Sequence, residues 1–345
     1  MLIRVCMKKM ILLAAIASIT LASCVKNEME VVDNDDQEIT FQTVTGNTGR
    51  AAIIGSNYPV DASFGTWARY TSVDWDYGVP SQEYITNKKV TFQTPNWKVD
   101  GLIYYWPKNG KLSFFSYSPF EANGGMDYID ASGIIATDYT VLDAADEDFM
   151  IADVMKNQTG NVDTDKVFYD GVKTVFRHKL TKIGFSLKTD IESARATIVV
   201  KKVEIMGVNN KGTYVQKDDI WTLASSPASI ADYTAYDNST GITLTDSYQN
   251  TNGSEEKKDL MLLPQTKSQM GDDALIKISY TLTLKNDGSD VVENVVVTTK
   301  LNGTSFPDWS MNKHITYQIT IGLDEVLWDP NVNDWDSEST PGITI

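Results

Sequence analysis

Apolar and polar positions alternate in short runs along this 345-residue chain, and no long run repeats with the period of a helix. The runs are rich in aromatic and β-branched residues, and Gly, Pro, Asn and Asp separate them. Clear examples are residues 196–206, 275–284 and 315–323, and residues 286–288 (Asn-Asp-Gly) have the composition of a hairpin turn. The pattern predicts an all-β chain whose strand spacing suits sandwiches.

The length of the chain predicts roughly two domains. One β-rich series fills residues 51–173, and a second series begins near residue 174. We therefore expect an N-terminal β-sandwich over residues 51–173 and a C-terminal β-sandwich over residues 174–345. A hydrophobic content of 42% with 10% aromatic residues is enough for packed cores in both.

Residues 1–23 have the features of a lipoprotein signal peptide. Lys8 and Lys9 precede the apolar run 10–22, which is shorter than the roughly 20 residues that a membrane span needs. Leu-Ala-Ser directly before Cys24 forms a lipobox, so we expect cleavage there and a lipid (palmitate) on Cys24 as an outer-membrane anchor. The alternative is an ordinary signal peptide followed by a coincidental cysteine.

Residues 24–50 combine an acidic leash with one short strand-like run. The leash is typical of a solvated linker that holds the protein away from a membrane. Within the run, Ile39, Phe41 and Thr43 alternate with polar or smaller residues and share one face. We interpret this run as a removable first strand; the alternative is that it is simply the permanent first strand of a sandwich.

The loop after this strand, residues 46–49, consists of Gly, Asn and Thr and predicts an exposed Arg50. A protease that cut between Arg50 and Ala51 would release the anchor and the strand together. Proteolytic processing at this bond is therefore our expectation for the chain.

Charge and composition exclude several classes of function. The net charge of −16, with no basic cluster, disfavours binding to nucleic acid. The two cysteines are Cys6, in the leader, and Cys24, so the processed chain has no pair for a disulfide. Two histidines are too few for a histidine-based zinc site, and we expect neither metal nor cofactor.

Several motifs, in their order and spacing, resemble those of the fimbrillin family, the lipoprotein-derived subunits of type V pili. Besides the lipobox and the strand before Arg50, the matching segments are residues 148–152, 176–183, 262–265, 309–321 and 332–335. The resemblance implies two tandem transthyretin-like β-sandwich domains and export as a lipoprotein. It also implies removal of the first strand by an arginine-specific protease, with Arg50 and Ala51 matching the cut site, and assembly by donor-strand exchange.

Removal of the strand would expose an apolar groove and unpaired backbone groups, which a strand from another fimbrial subunit can fill. Such head-to-tail contacts do not close and give a filament that supports adhesion to a host or bacterial surface ligand. The candidate donor strand is the tail, where Ile343 and Ile345 share a face. Because that tail ends only ten residues past Trp335, a tip or anchor subunit that keeps its first strand stays open.

Two other classes of function compete with this interpretation. The acidic loop at residues 143–148 would serve a glycosidase only if two of its carboxylates lay about 5–10 Å apart in a cleft. The sequence also contains no G-x-S-x-G, Walker or H-E-x-x-H motif. We therefore expect no enzyme. A surface glycan-binding lipoprotein could use Trp67, Trp75 and Trp97 as stacking platforms, but we favour a core-filling role for these rings.

Overall fold

The computed structural model describes residues 37–45, 58–142, 147–160, 171–251, 259–323 and 326–335. Within these ranges the chain forms twenty-one β-strands and one 3-10 helix, Pro227–Ser229, and no α-helix. The all-β prediction is therefore confirmed. No helix in the described part of the chain is long and apolar enough to cross a membrane.

The strands are, in chain order, β1 Phe41–Thr45, β2 Ser63–Thr71, β3 Gln82–Gln93, β4 Asn96–Val99, β5 Lys111–Ser118, β6 Gly125–Ile129, β7 Gly133–Thr140, β8 Met150–Ala152, β9 Met155–Gln158, β10 Val172–His178, β11 Thr181–Thr189, β12 Ala196–Asn209, β13 Lys211–Val215, β14 Ile220–Leu223, β15 Ile230–Thr243, β16 Gln249–Asn250, β17 Leu260–Leu262, β18 Leu275–Leu284, β19 Val291–Lys300, β20 Lys313–Ile321 and β21 Val326–Asp334.

Seven of the described strands close into a ring in the first part of the chain. They follow one another in the order β2-β3-β4-β1-β10-β8-β5, and β5 pairs back with β2, while β9 extends from β5. Aromatic and aliphatic side chains from around the ring form one core, which includes Phe64, Trp97, Trp106, Phe114 and Phe176. Closure of this kind leaves none of the seven strands with an open edge along the ring.

The last part of the chain forms two further sheets that share a core. One contains β16-β11-β20-β21 with β17 on β11, and the other contains β15-β12-β18-β19. Phe185 and Tyr317 of the first sheet belong to the same hydrophobic cluster as Ile205 and Ile276 of the second. The predicted hairpin turn at residues 286–288 is confirmed, because β18 and β19 pair antiparallel on either side of it.

A fourth sheet combines hairpins from distant parts of the sequence. It has the order β14-β13-β7-β6, so a hairpin before residue 173 pairs with one after it. Strand β10, which spans Val172–His178, itself contains the boundary expected between residues 173 and 174. The division of the chain into two domains stays a prediction.

Strand β12 carries a bulge at Gly207 that brings it close to a neighbouring loop. The pairing of β12 with β15 shifts register between Ile205 and Val208, and Gly207 has a φ of +66°. A Cβ at this position would collide with the backbone carbonyl of Asp273. Glycine is required here both for the left-handed conformation and for the close approach.

We predict that Gly207→Ala lowers the free energy of unfolding by about 1–3 kcal/mol, the usual cost of a strained backbone conformation. The matched control is Gly288→Ala in the β18–β19 loop, where a Cβ would meet nothing within 4 Å. The control should change stability by less than about 0.5 kcal/mol. Urea denaturation of both variants checks this, and equal midpoints for the two would contradict it.

Candidate functional site around the first strand

Strand β1 fills the gap between β4 and β10 and thereby completes the ring. It runs parallel to β10 over five residue pairs, from Phe41 opposite Val172 to Thr45 opposite Phe176. It runs antiparallel to β4, with which the described residues pair at one position, Phe41 opposite Trp97. The first strand is therefore held mainly by β10 and only briefly by β4.

The residues just before β1 strengthen its attachment. The Ile39 N–H donates to the carbonyl of Tyr104 at 2.7 Å, and the Trp106 N–H donates to the carbonyl of Gln37 at 3.1 Å. The side chain of Lys98 forms an ion pair with Glu38 at 2.5 Å. Both side chains of that pair are about one quarter exposed, so it contributes little to stability. The backbone contacts carry most of this attachment.

One face of the first strand is fully buried in the core of the ring. Ile39 and Phe41 are each 1% exposed and Thr43 is 2% exposed, whereas Gln42 between them is exposed. The three side chains share one buried face, as the alternation in the sequence predicts. Burial of side chains such as Ile39 and Phe41 contributes about 1.5–3 kcal/mol each.

The ring of Phe41 is the centre of this buried face. Its centroid lies 5.6 Å from that of Phe64 and 5.9 Å from that of Phe114, and both contacts are nearly perpendicular. Edge-to-face contacts at these distances are favourable for aromatic pairs. Phe41 therefore joins strands β2 and β5 to the strand that closes the ring.

Tyr58 packs against the same core from the chain that follows β1. Its ring stacks on Phe176 at 5.0 Å and contacts Trp97 at 5.2 Å, and its hydroxyl is 2.9 Å from the Ser118 Oγ. Burial raises the pKa of Tyr58 to about 12. The chain is thus anchored in one core both at β1 and again at Tyr58.

The remaining residues predicted from the sequence lie outside the described residues. These are Cys24, Arg50, Ala51, Ile343 and Ile345.

The last described residue, Trp335, stacks on His178 with ring centroids 4.0 Å apart and an interplanar angle of 4°. His178 is the final residue of β10, and its Nδ1 lies 2.8 Å from an oxygen of Asp148. Trp335 therefore lies beside the end of the strand that pairs with β1.

The tryptophans considered for glycan stacking are core residues. Trp67, Trp75 and Trp97 are all buried, which leaves no open ring face for a sugar. Among the described residues, no group of three His, Cys, Asp or Glu side chains lies together as metal ligands would. The sequence did not identify Phe64, Phe114 or Phe176 as the walls around β1, because nothing local in their segments signals that contact.

The fold and the buried first strand define an all-β protein of packed sheets that a strand near the N-terminus completes. The model of the fimbrillin-like family matches residues 67–335, and the chain belongs to this family. The fimbrium subunit Fim1C of Phocaeicola vulgatus is 23% identical over 378 aligned positions, which cover 97% of this chain and 98% of that protein. The crystal structure of a fimbrial protein from Bacteroides vulgatus has the same fold, with a TM-score of 0.65 at 19% identity. That similarity covers 86% of this chain and 99% of the other.

We predict that Phe41→Ala lowers the free energy of unfolding by about 3–5 kcal/mol, because it leaves a cavity between Phe64 and Phe114. The matched control, Gln42→Ala on the exposed face of the same strand, should cost less than about 0.5 kcal/mol. Urea denaturation of the full chain measures both. A small effect of Phe41→Ala would mean that β1 contributes little to the core.

Proposed function

We propose that this protein is a structural subunit of a cell-surface fimbria, made as a lipoprotein precursor whose first strand is temporary. In this proposal the precursor is anchored to the outer membrane through Cys24. An arginine-specific protease cuts after Arg50, and β1 is replaced by a strand from another fimbrial subunit. The role is structural, supports adhesion and involves no catalysis.

The observation that carries the proposal is the position of β1 between two strands that do not pair with each other. Without β1, strands β4 and β10 would each present backbone N–H and C=O groups without partners. Leaving the hydrogen bonds of such groups unmade is costly when the groups are buried. The groove would also expose the side chains that pack on Ile39 and Phe41. A groove with free backbone groups and apolar pockets is what an incoming strand binds.

The placement of Tyr58 supports a cut at Arg50. The bond between Arg50 and Ala51 lies between β1 and Tyr58 in the sequence, and both of these are held in the same core. A cut there would separate β1 from the rest of the chain, while Tyr58 would keep the new N-terminal segment attached. The core would then lose only β1 and the residues before it.

The position of Trp335 is compatible with the tail as the donor strand. The tail with Ile343 and Ile345 follows a residue that is packed against the end of β10. In the proposed filament this tail would enter the groove of the next subunit, head to tail. A subunit that kept β1 would accept no donor, and it would serve as an anchor or as the tip.

We predict that protein recovered from sheared surface material starts at Ala51 and is found in high-mass assemblies, as measured by intact mass and N-terminal sequencing. Arg50→Ala should abolish this start and leave the protein monomeric and lipid-bound. Asn47→Ala, in the same segment, is the matched control and should be processed normally. A wild-type protein that starts at a lipid-modified Cys24 and stays monomeric would contradict the proposal and favour an anchor subunit.

A further inference from the structure

Thr43 lies on the inner face of β1, and its hydroxyl group is buried without a hydrogen-bond partner among the described residues. Thr43 is 2% exposed, and its Oγ1 is fully enclosed. Its direct neighbour on β10, Thr174, is 3% exposed, but the Thr174 hydroxyl donates to the carbonyl of Val172 at 3.1 Å. Two threonines therefore lie side by side in one sheet, and only one of them has its hydroxyl satisfied.

An enclosed hydroxyl without a partner is destabilising, because it has lost its hydrogen bonds to water and gained none in return. A strand does not need threonine at this position. Valine has nearly the same shape, is equally suited to a β-strand and has no polar atom to bury. Of the three inward-facing residues in and just before β1, Ile39 and Phe41 match the apolar core, and Thr43 does not.

We propose that Thr43 weakens the binding of β1 in the groove between β4 and β10. We also propose that the strand which replaces β1 carries an aliphatic side chain at this position. The partner is thus an extended peptide segment with three alternating apolar residues. The exchange itself rests on the proposed function, whereas the cost of the buried hydroxyl does not. A segment with an aliphatic residue at this position would therefore bind the groove more tightly than β1 does once β1 has been cut from the chain.

The tail of this chain offers two of the three alternating aliphatic side chains, Ile343 and Ile345. In an extended strand these two side chains would share one face, and Thr344 between them would point to the opposite face. Such a strand would bury aliphatic groups where β1 buries a hydroxyl. A second copy of this chain is therefore one source of a strand that competes with β1.

The first test measures the hydroxyl alone, in the full uncleaved chain. Thr43→Val should lower the equilibrium constant for unfolding at least fivefold, or about 1 kcal/mol, since tenfold corresponds to about 1.4 kcal/mol. Thr174→Val is the matched control: it removes a satisfied hydroxyl at the adjacent position, and it should leave the constant unchanged or raise it. If Thr43→Val brings no stabilisation, or if both variants are stabilised equally, the proposal is overturned.

The second test measures replacement of the strand. The full chain is cut with an arginine-specific protease, and synthetic peptides of residues 37–45, with Thr or with Val at position 43, are added to displace the native strand. The peptide concentration that displaces half of the native strand should be at least fivefold lower for the Val peptide, as followed by mass spectrometry of the complex. Equal displacement by the two peptides would overturn the proposed selectivity. A chain that is not cut at Arg50 would instead count against the proposed function, while the denaturation result would stand.

Discussion

The backbone of β4 and β10 requires a strand between them, and the first part of the molecule depends on that requirement. Buried N–H and C=O groups need partners, and a ring of strands satisfies all of its members only when every position is filled. Strand β1 has five residues, yet it supplies the last pairing that closes seven strands around one core. A short segment near the N-terminus thus determines whether the ring is complete.

Strand β10 connects this closure to the other end of the chain. Its first five residues pair with β1, and its last residue, His178, stacks on Trp335 at the end of the described chain. At the other end of β10, the Val172 N–H donates to the carbonyl of Thr40, just before β1, at 2.7 Å. Thr40 and Trp335 therefore contact opposite ends of one strand. In the proposed assembly, the same strand would bind the incoming donor and hold the start of the outgoing one.

The sequence predicts which side chains of a strand share a face, but it does not predict which strands pair with each other. Alternation assigns Ile39, Phe41 and Thr43 to one side, because side chains in a strand point to opposite faces in turn. It does not reveal that Phe41 pairs with Val172, about 130 positions away in the sequence. Such a pairing depends on how the whole sheet closes, and the two segments carry no local signal for it. The same limit applies to the fourth sheet, where Tyr139 of one hairpin lies opposite Gly212 of another.

Backbone hydrogen bonding allows a strand to occupy this groove in either direction. Strand β1 is parallel to β10 and antiparallel to β4, so a reversed strand would also make one parallel and one antiparallel interface. The reversed strand would place the slightly more stable antiparallel ladder along β10, which is the longer interface.

What distinguishes one strand from another in this groove is therefore the row of side chains that it buries. Alternating residues reach the same pockets from either direction. Selection thus depends on how well those side chains fill an apolar core. Of Ile39, Phe41 and Thr43, the last fits that core least well, because its hydroxyl is enclosed without a partner among the described residues.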